Sequence, residues 1–296
     1  MKLTFGQKLT AMAGSIGIRS EIKQLLLRRY WQRKPRWDQD YLGLKVSFDT
    51  RDYFSNTWFY GPKNLTIAHE PGTTRLIAHL AKTANAFVDI GANLGYFTVI
   101  AGASQPGLRI LALEMDAYLR PLIERNAAIN GISNLSIETC AVGDGEGQVS
   151  YTPHAYSFLL KLSQEPTGAL ALAAKAPIAG IDALLSMHAI TPDLVKLDID
   201  GAEVGALRSA SKMLSNPDLT MLFEIHPDLI AANGEDISEA GQILADQGFR
   251  AYEFPEYRSG GPVRFEERTN FAELTGYPML LVTRKDPTTL FADLET

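Results

Sequence analysis

The chain has 296 residues, 46% apolar and 21% charged, which suits one large α/β domain with additions, or two domains at roughly 150 residues each, and excludes collagen, coiled coil and wholesale disorder. A single cysteine, Cys140, excludes an internal disulfide and a multi-thiolate zinc site and points to a reducing, cytoplasmic setting. The net charge of −6 is uneven: residues 1–37 hold nine basic side chains and one acid, +8 in all, which leaves −14 for the rest and disfavours nucleic acid as a partner.

In the basic arm, Lys2 and Lys8 precede an apolar run over residues 9–18, broken by Gly14, Ser15 and Gly17. It is too short for a membrane span of about 20 residues and too weakly apolar for a secretion signal. Residues 20–33 place Ile22, Leu25, Leu26 and Arg29 at helical spacing behind Ser20 as N-cap. Such a helix can dock on its own domain or on a second copy in a homo-oligomer. It can also lie peripherally on an anionic membrane, where each Lys or Arg contributes about 1 kcal/mol. The expected division is a basic helical extension over residues 1–40 and a domain over residues 41–296.

Leu42, Leu44, Val46 and Phe48 alternate with smaller or polar residues, the period-two pattern of a half-buried strand. Tyr53, Phe54, Trp58, Phe59 and Tyr60 form an aromatic cluster expected in the core, the alternative being that some of it flanks the cofactor or substrate. Helices are predicted over residues 73–81, 96–102, 118–130, 181–188, 203–214 and 237–247. Strands are predicted over residues 86–90, 109–113, 135–141, 148–151, 194–197, 220–225 and 250–254. This alternation is the signature of a parallel sheet covered on both faces. The last strand, residues 279–282, follows its predecessor with no amphipathic helix between, which predicts an antiparallel hairpin at the sheet edge. The alanine-rich residues 169–179, closed by Pro177, read as a short helix or an excursion. They end the least patterned stretch, residues 150–177, a place for substrate selection.

Two groups of residues carry chemistry. The first is Asp89-Ile90-Gly91-Ala92-Asn93-Leu94-Gly95, a strand end running into a glycine turn and a helix whose first amides are free for a ligand. Asn93 and Leu94 break the pyrophosphate fingerprint GxGxxG, and Asp89 beside the turn suits a ligand bearing an ammonium and a carboxylate. Glu114 ends the second strand, where a carboxylate can accept both ribose hydroxyls of an adenosine, and Asp144 stands on the adenine side. The second group is Asp198, Asp200 and Glu203 after one strand, with Glu224 and His226 after the next. If the strand persists, Asp198 and Asp200 share a face. Asp198 or His226 can take the acceptor proton in an in-line methyl transfer, and Asp198, Asp200 and Glu224 can instead hold a hard ion such as Mg²⁺.

The sequence resembles the FkbM family of S-adenosylmethionine-dependent methyltransferases. The resemblance rests on Val88-Asp89-Ile90-Gly91-Ala92-Asn93-Leu94-Gly95-Tyr96-Phe97-Thr98, on Ala141-Val142-Gly143-Asp144 with Gly147, on Val195-Lys196-Leu197-Asp198-Ile199-Asp200-Gly201-Ala202-Glu203, and on Phe223-Glu224-Ile225-His226. It spans residues 45–285. It implies a class I methyltransferase fold, Rossmann-like, seven-stranded and mostly parallel with an antiparallel last strand. It also implies O-methylation of a hydroxyl on a sugar, glycoconjugate or other small molecule. By position, Asp89, Gly91, Asn93 and Gly95 would surround the methionine part of the cofactor, Glu114 the ribose and Asp144 the adenine side, while Glu70 in His69-Glu70-Pro71 would close over it. Asp200 stands where family members often have glutamate, which ties a role to Asp198 more firmly than to Asp200. The competing readings are an NAD(P)-dependent oxidoreductase and a non-catalytic, membrane-associated binding module.

Overall fold

The computed structural model describes residues 34–41, 43–59, 68–151, 153, 174–258 and 261–291. The apolar run and the basic helix of the N-terminal arm, Tyr60 of the aromatic cluster and most of residues 150–177 lie outside the described residues. Among the described residues no helix is long and apolar enough to cross a membrane.

The chain begins with an antiparallel hairpin, β1 (Arg36–Tyr41) and β2 (Leu44–Asp49), in the register Arg36↔Asp49 to Tyr41↔Leu44. Trp37, Gln39 and Tyr41 turn inward while Arg36, Asp38 and Asp40 face out. This period-two pattern was hidden by the basic charge around it, so β1 extends the fold across the expected boundary at residue 40. Then come α1 (Tyr53–Phe59), α2 (Pro71–Leu80), β3 (Ala86–Ile90), α3 (Tyr96–Ser104), β4 (Arg109–Leu113), α4 (Arg120–Ile129), β5 (Leu135–Glu138), β6 (Ala141–Val142), β7 (Gln148–Tyr151) and β8 (Ala174–Ala179). The second half holds α5 (Ile181–Met187), β9 (Leu194–Leu197), α6 (Glu203–Arg208), α7 (Ser211–Leu214), β10 (Thr220–Glu224), α8 (Pro227–Ala232), α9 (Ile237–Asp246), β11 (Arg250–Glu253), β12 (Glu266–Glu267), β13 (Met279–Thr283) and α10 (Pro287–Leu290).

The main sheet has the order β5-β4-β3-β9-β10-β13-β11-β12. The five strands from β5 to β10 are parallel, and β13 runs antiparallel to both neighbours. This is the class I methyltransferase arrangement with a two-residue eighth strand, β12, at one edge. The expected antiparallel hairpin is present as β11 and β13, in the register Arg250↔Thr283, and β13 is its inner strand, paired on its other side with β10 in the register Thr220↔Thr283. Its five residues are all buried, which an interior strand requires.

Strands β3, β9 and β10 are buried throughout, because helices cover both faces. On one face Val88, Ile90, Val195, Leu197, Met221 and Phe223 pack against residues of α5 to α9. On the other, Phe87, Leu194 and Leu222 pack against α2, α3 and the hairpin, whose Phe48 lies against Phe59 of α1 with the rings tilted and their centroids 4.6 Å apart.

Three further expectations change. The single strand over residues 135–141 divides, and β6 leaves the main sheet to pair with β8 in the three-stranded order β6-β8-β7. The alanine-rich stretch is neither helix nor excursion where it is described: residues 174–179 are β8, and Pro177 needs no amide because the ladder bond there comes from Ile178, to the Gly147 carbonyl at 3.0 Å. The helix over residues 203–214 breaks at Ser209, whose hydroxyl donates to the Ala206 carbonyl (2.8 Å) and accepts from the Ile181 amide (3.0 Å).

Candidate active site

The carboxyl ends of β3, β4, β9 and β10 open into one cleft of about 430 Å³, within the range of small-ligand sites. Its floor is the glycine turn. The amides of Gly91 and Ala92 both donate to the Leu113 carbonyl, at 2.9 and 3.0 Å, which pulls the turn against β4. Gly91 has φ +84°, and a β-carbon there would stand 1.9 Å from the Asp198 carbonyl oxygen, so only glycine lets β9 end across the turn. Glu70 (φ 41°), Asn93 (φ 51°) and Asp200 (φ 48°) are three of the four non-glycine residues with left-handed backbone among the described residues, and all three line the cleft. Such strain gathers where the surrounding structure holds a site in shape.

Glu114 accepts from the Asn93 amide through Oε2 (2.8 Å) and from the Asp116 amide through Oε1 (2.9 Å), which fixes its carboxyl at the wall of the cleft. Burial pushes it up to about 7, against the pull of those two amides. Asp89 differs from expectation. It is 1% exposed and lies beneath the cleft wall, where Oδ2 accepts from the Thr98 hydroxyl at 2.7 Å and Oδ1 has no partner. Burial raises its pKa, although the nearby Lys196 opposes this.

Glu70 precedes α2 and is 8% exposed, with Oε2 unpartnered. The neighbouring His69 sits in an aromatic wall, 4.5 Å from Trp58 and 5.3 Å from Tyr96 between ring centroids. Of the aromatic cluster, Phe59 is fully buried in the core, Trp58 lines the cleft and Tyr53 is exposed. Asp144 is a correction. It stands outside the cleft and pairs with Arg208 at 3.3 Å, while Cys140, Ala141 and Val142 form the wall that the adenine side was expected to share with it.

The acidic group lies across the cleft from Glu114. Strand β9 ends at Leu197, so the expectation of a shared strand face for Asp198 and Asp200 fails; Asp200 enters a left-handed turn instead. The two carboxylates nevertheless meet at the imidazole of His226, whose Nε2 is 3.8 Å from Asp198 Oδ1 and 3.3 Å from Asp200 Oδ1. Nδ1 of His226 lies 2.5 Å from Oε1 of Glu203, which is completely buried. Burial lowers the imidazole's proton affinity, but Glu203, Asp198 and Asp200 outweigh it and lift His226 to about 9. This favours the imidazolium near neutral pH, a form with no free nitrogen to take a proton.

Asp198 remains ionised. Burial would raise its pKa, but Lys196, with Nζ 2.7 Å from Oδ2, and then His226 hold it below the usual carboxylate range. Asp200, buried beside Asp198, is pushed up to about 6. Glu224, also buried and facing Asp198 and Glu70, is pushed up to about 8.

The donors of Asp198, Glu224 and His226 lie within 4.8 Å of one another, whereas Asp200, expected among the metal ligands with Asp198 and Glu224, is outside this group. Arg258 Nη2 donates to Glu224 Oε1 at 2.6 Å and the Tyr257 hydroxyl to the same atom at 3.0 Å. Both carboxylates of the group thus already hold a protein cation, and His226 is engaged by Glu203. A divalent ion placed here would have to compete with both cations.

The cleft does fit a cationic ligand. Three buried acceptor atoms have no hydrogen-bond partner among the described residues: Asn93 Oδ1 and Glu70 Oε2, on residues that line the cleft, and Asp89 Oδ1 beneath its wall. Unpartnered acceptors in a low-dielectric setting call for N–H or O–H donors, and an ammonium group supplies them.

Lys196, Tyr257, Arg258 and Tyr277 had no role assigned from the sequence. Lys196 alone had a local signal, a charge inside an apolar strand; the others reach the cleft through tertiary packing.

In comparison with known proteins, the model of the methyltransferase FkbM domain matches residues 89–251, more than half of the chain. No curated protein matches it. Among solved structures, the methyltransferase FkbM from Methylobacillus flagellatus KT is similar at 15% identity and a TM-score of 0.43, covering 78% of this chain and 54% of that one. The precorrin-6y C5,15-methyltransferase from Geobacter metallireducens GS-15 shows 14% identity, a TM-score of 0.40, and coverage of 72% and 85%. An O-methyltransferase from Bacillus cereus in complex with SAH shows 13% identity, a TM-score of 0.41, and coverage of 72% and 79%.

Proposed function

Since this chain belongs to the FkbM methyltransferase family, we propose that it is an O-methyltransferase that uses S-adenosylmethionine and acts on a hydroxyl of a sugar or glycoconjugate. When bound, S-adenosylmethionine supplies an electrophilic methyl group on a sulfonium. The observation that carries the reading is the trio of unpartnered buried acceptors on Asn93, Glu70 and Asp89 in and beneath the cleft, beside a fixed carboxyl at Glu114. In this reading Asp89, Asn93 and Glu70 take the donors of the methionine part. Glu114, ionised above about pH 7, accepts the ribose hydroxyls. Gly91 and Gly95 shape the turn.

Asp198 is the proton acceptor. Its pKa is low, which makes it a weak base, but the demand on it is light: as the methyl group arrives the hydroxyl becomes strongly acidic and gives up its proton readily. His226 sits beside it as an imidazolium, and the half-exposed Tyr277 ring lies 5.0 Å from it at the mouth of the cleft, where an acceptor enters. Bringing donor and acceptor to near-attack distance, about 3 to 3.5 Å, is the larger part of the task. The reading assigns no step to a metal ion and none to NAD(P), because the glycine turn lacks the pyrophosphate pattern.

Calorimetric titration with S-adenosylmethionine and S-adenosylhomocysteine, with NAD as control, tests the cofactor assignment. Methyl transfer from labelled S-adenosylmethionine to a panel of free sugars and glycosides tests the acceptor class. Binding of NAD alone would sink the first assignment, and labelling confined to non-hydroxyl acceptors the second.

A further inference from the structure

Lys196 is the only charged residue in β9, a strand buried along its whole length, and is itself 1% exposed. The register sets it opposite Asp89 on β3 and Leu222 on β10, so Asp89, Lys196 and Glu224 share one face of the sheet. Its ammonium is 2.7 Å from Asp198 Oδ2 and 4.8 Å from the centre of the Phe97 ring. An apolar side chain would fill this position without the cost of stripping an ammonium of water, so the charge calls for a reason beyond folding. The reason lies in what it faces. Asp198 and Glu224, two members of the group whose donors approach within 4.8 Å of one another, are each held by a protein cation. Lys196 takes the first and Arg258, at 2.6 Å, the second.

We propose that Lys196 is the resident cation of the acceptor side of this cleft: a positioning residue that holds Asp198 by Oδ2, leaves Oδ1 toward the cleft, and takes the place a divalent ion would otherwise fill. The proposal rests on reading the cleft as a methyl-transfer site. Its content is that a dication brought to Asp198 meets an ammonium already on the same carboxylate and is repelled, so the native cleft takes up no divalent ion.

The test uses the full chain and Mn²⁺ alone, followed by the loss of its free spin-resonance signal, for the wild type, Lys196→Met, Lys196→Arg and the double variant Lys196→Met with Asp198→Asn. Circular dichroism and thermal unfolding report that each is folded. The wild type and Lys196→Arg are expected to leave the Mn²⁺ signal unchanged through the millimolar range. Lys196→Met is expected to gain a site about tenfold tighter or better, and the double variant to lose it.

Stoichiometric Mn²⁺ uptake by the wild type that disappears in Asp198→Asn would overturn the proposal, as would a folded Lys196→Met that takes up no Mn²⁺. If Lys196→Met does not fold, the wild type and Lys196→Arg still decide it. A parallel titration of the wild type with S-adenosylhomocysteine separates the two ideas. Absence of that binding sinks the methyl-transfer reading, whatever Mn²⁺ does.

Discussion

The backbone of Asp198 closes over Gly91: its carbonyl oxygen stands 1.9 Å from where a β-carbon on Gly91 would be, and its amide donates to the Ile90 carbonyl at 3.0 Å. The glycine turn and the acidic strand end are thus one packed unit, and the two sides of the cleft cannot shift independently. Gly91→Ala is expected to break that unit. A left-handed alanine alone costs about 1–3 kcal/mol, and the clash with backbone adds to it. Urea denaturation should show a lower midpoint, and S-adenosylhomocysteine affinity should fall in the same protein. A midpoint and an affinity equal to wild type would mean that the two segments are not in contact.

Glu114 is placed by two backbone amides that it also satisfies. Glu114→Gln presents an amide donor to one of them, so the side chain must turn away, and the ribose contacts proposed for it go with it. Hydrogen bonds to a charged group contribute about 1.5–3 kcal/mol, which predicts roughly 10- to 100-fold weaker S-adenosylhomocysteine binding by calorimetry. Because burial holds Glu114 up to about 7, wild-type affinity should rise from about pH 6 to about pH 8 as the carboxylate forms. The Glu114→Gln profile should be flat over that window. Parallel profiles would remove the carboxylate from the binding step.

Asp198→Asn keeps the shape of the side chain and removes its basicity. Cofactor affinity is expected to stay within a few-fold of wild type. Single-turnover methyl transfer to an acceptor found by labelling should fall by about 10²- to 10⁴-fold, the usual contribution of a positioned base. Wild-type turnover in this variant would assign the proton to another group.

The pair of His226 and Glu203 is buried on both sides. Removing one partner leaves the other charge uncompensated, so His226→Ala should cost about 3–5 kcal/mol of stability. The pH dependence has a definite sign. A histidine whose folded pKa, about 9, exceeds its unfolded value contributes stability that is complete below about pH 6.5 and is lost as the pH rises through 9. Glu114 and Glu224 act in the same direction. Their folded values of about 7 and about 8 exceed the ordinary carboxyl range, so the folded state surrenders those protons at a cost as the pH climbs. Unfolding free energy from urea titrations should therefore decline from about pH 6 to about pH 9, and Glu203→Gln should flatten the upper part of the decline. A stability that rises across this range would contradict the assigned protonation states.

The sequence by itself determined the layered α/β fold, because the runs at residues 86–90, 194–197 and 220–225 are apolar apart from Asp89, Lys196, Thr220 and Glu224, and a sheet covered on both faces buries such strands. It also determined the glycine turn, since Gly91 and Gly95 take backbone angles that cost other residues more, and it located Glu114, Asp198, Glu224 and His226 at strand ends. Local pattern could not give the place of β13. Its residues read the same at an edge or in the interior, and pairing with β10 and β11 is a long-range choice. The charge of residues 34–40 hid β1 for a related reason: alternation survives in Trp37, Gln39 and Tyr41 only once the hairpin supplies an inside.

Only the tertiary structure decided the chemistry of the acidic group. Asp144 and Asp200 look equivalent to their neighbours in sequence, yet one turns out to Arg208 and the other leaves the strand through a left-handed turn. Proton affinity is set by what surrounds a group in three dimensions. Lys196 keeps Asp198 ionised, Glu203 makes His226 a cation, and burial beside Asp198 raises Glu224, so three side chains from two adjacent strand ends reach three different protonation states.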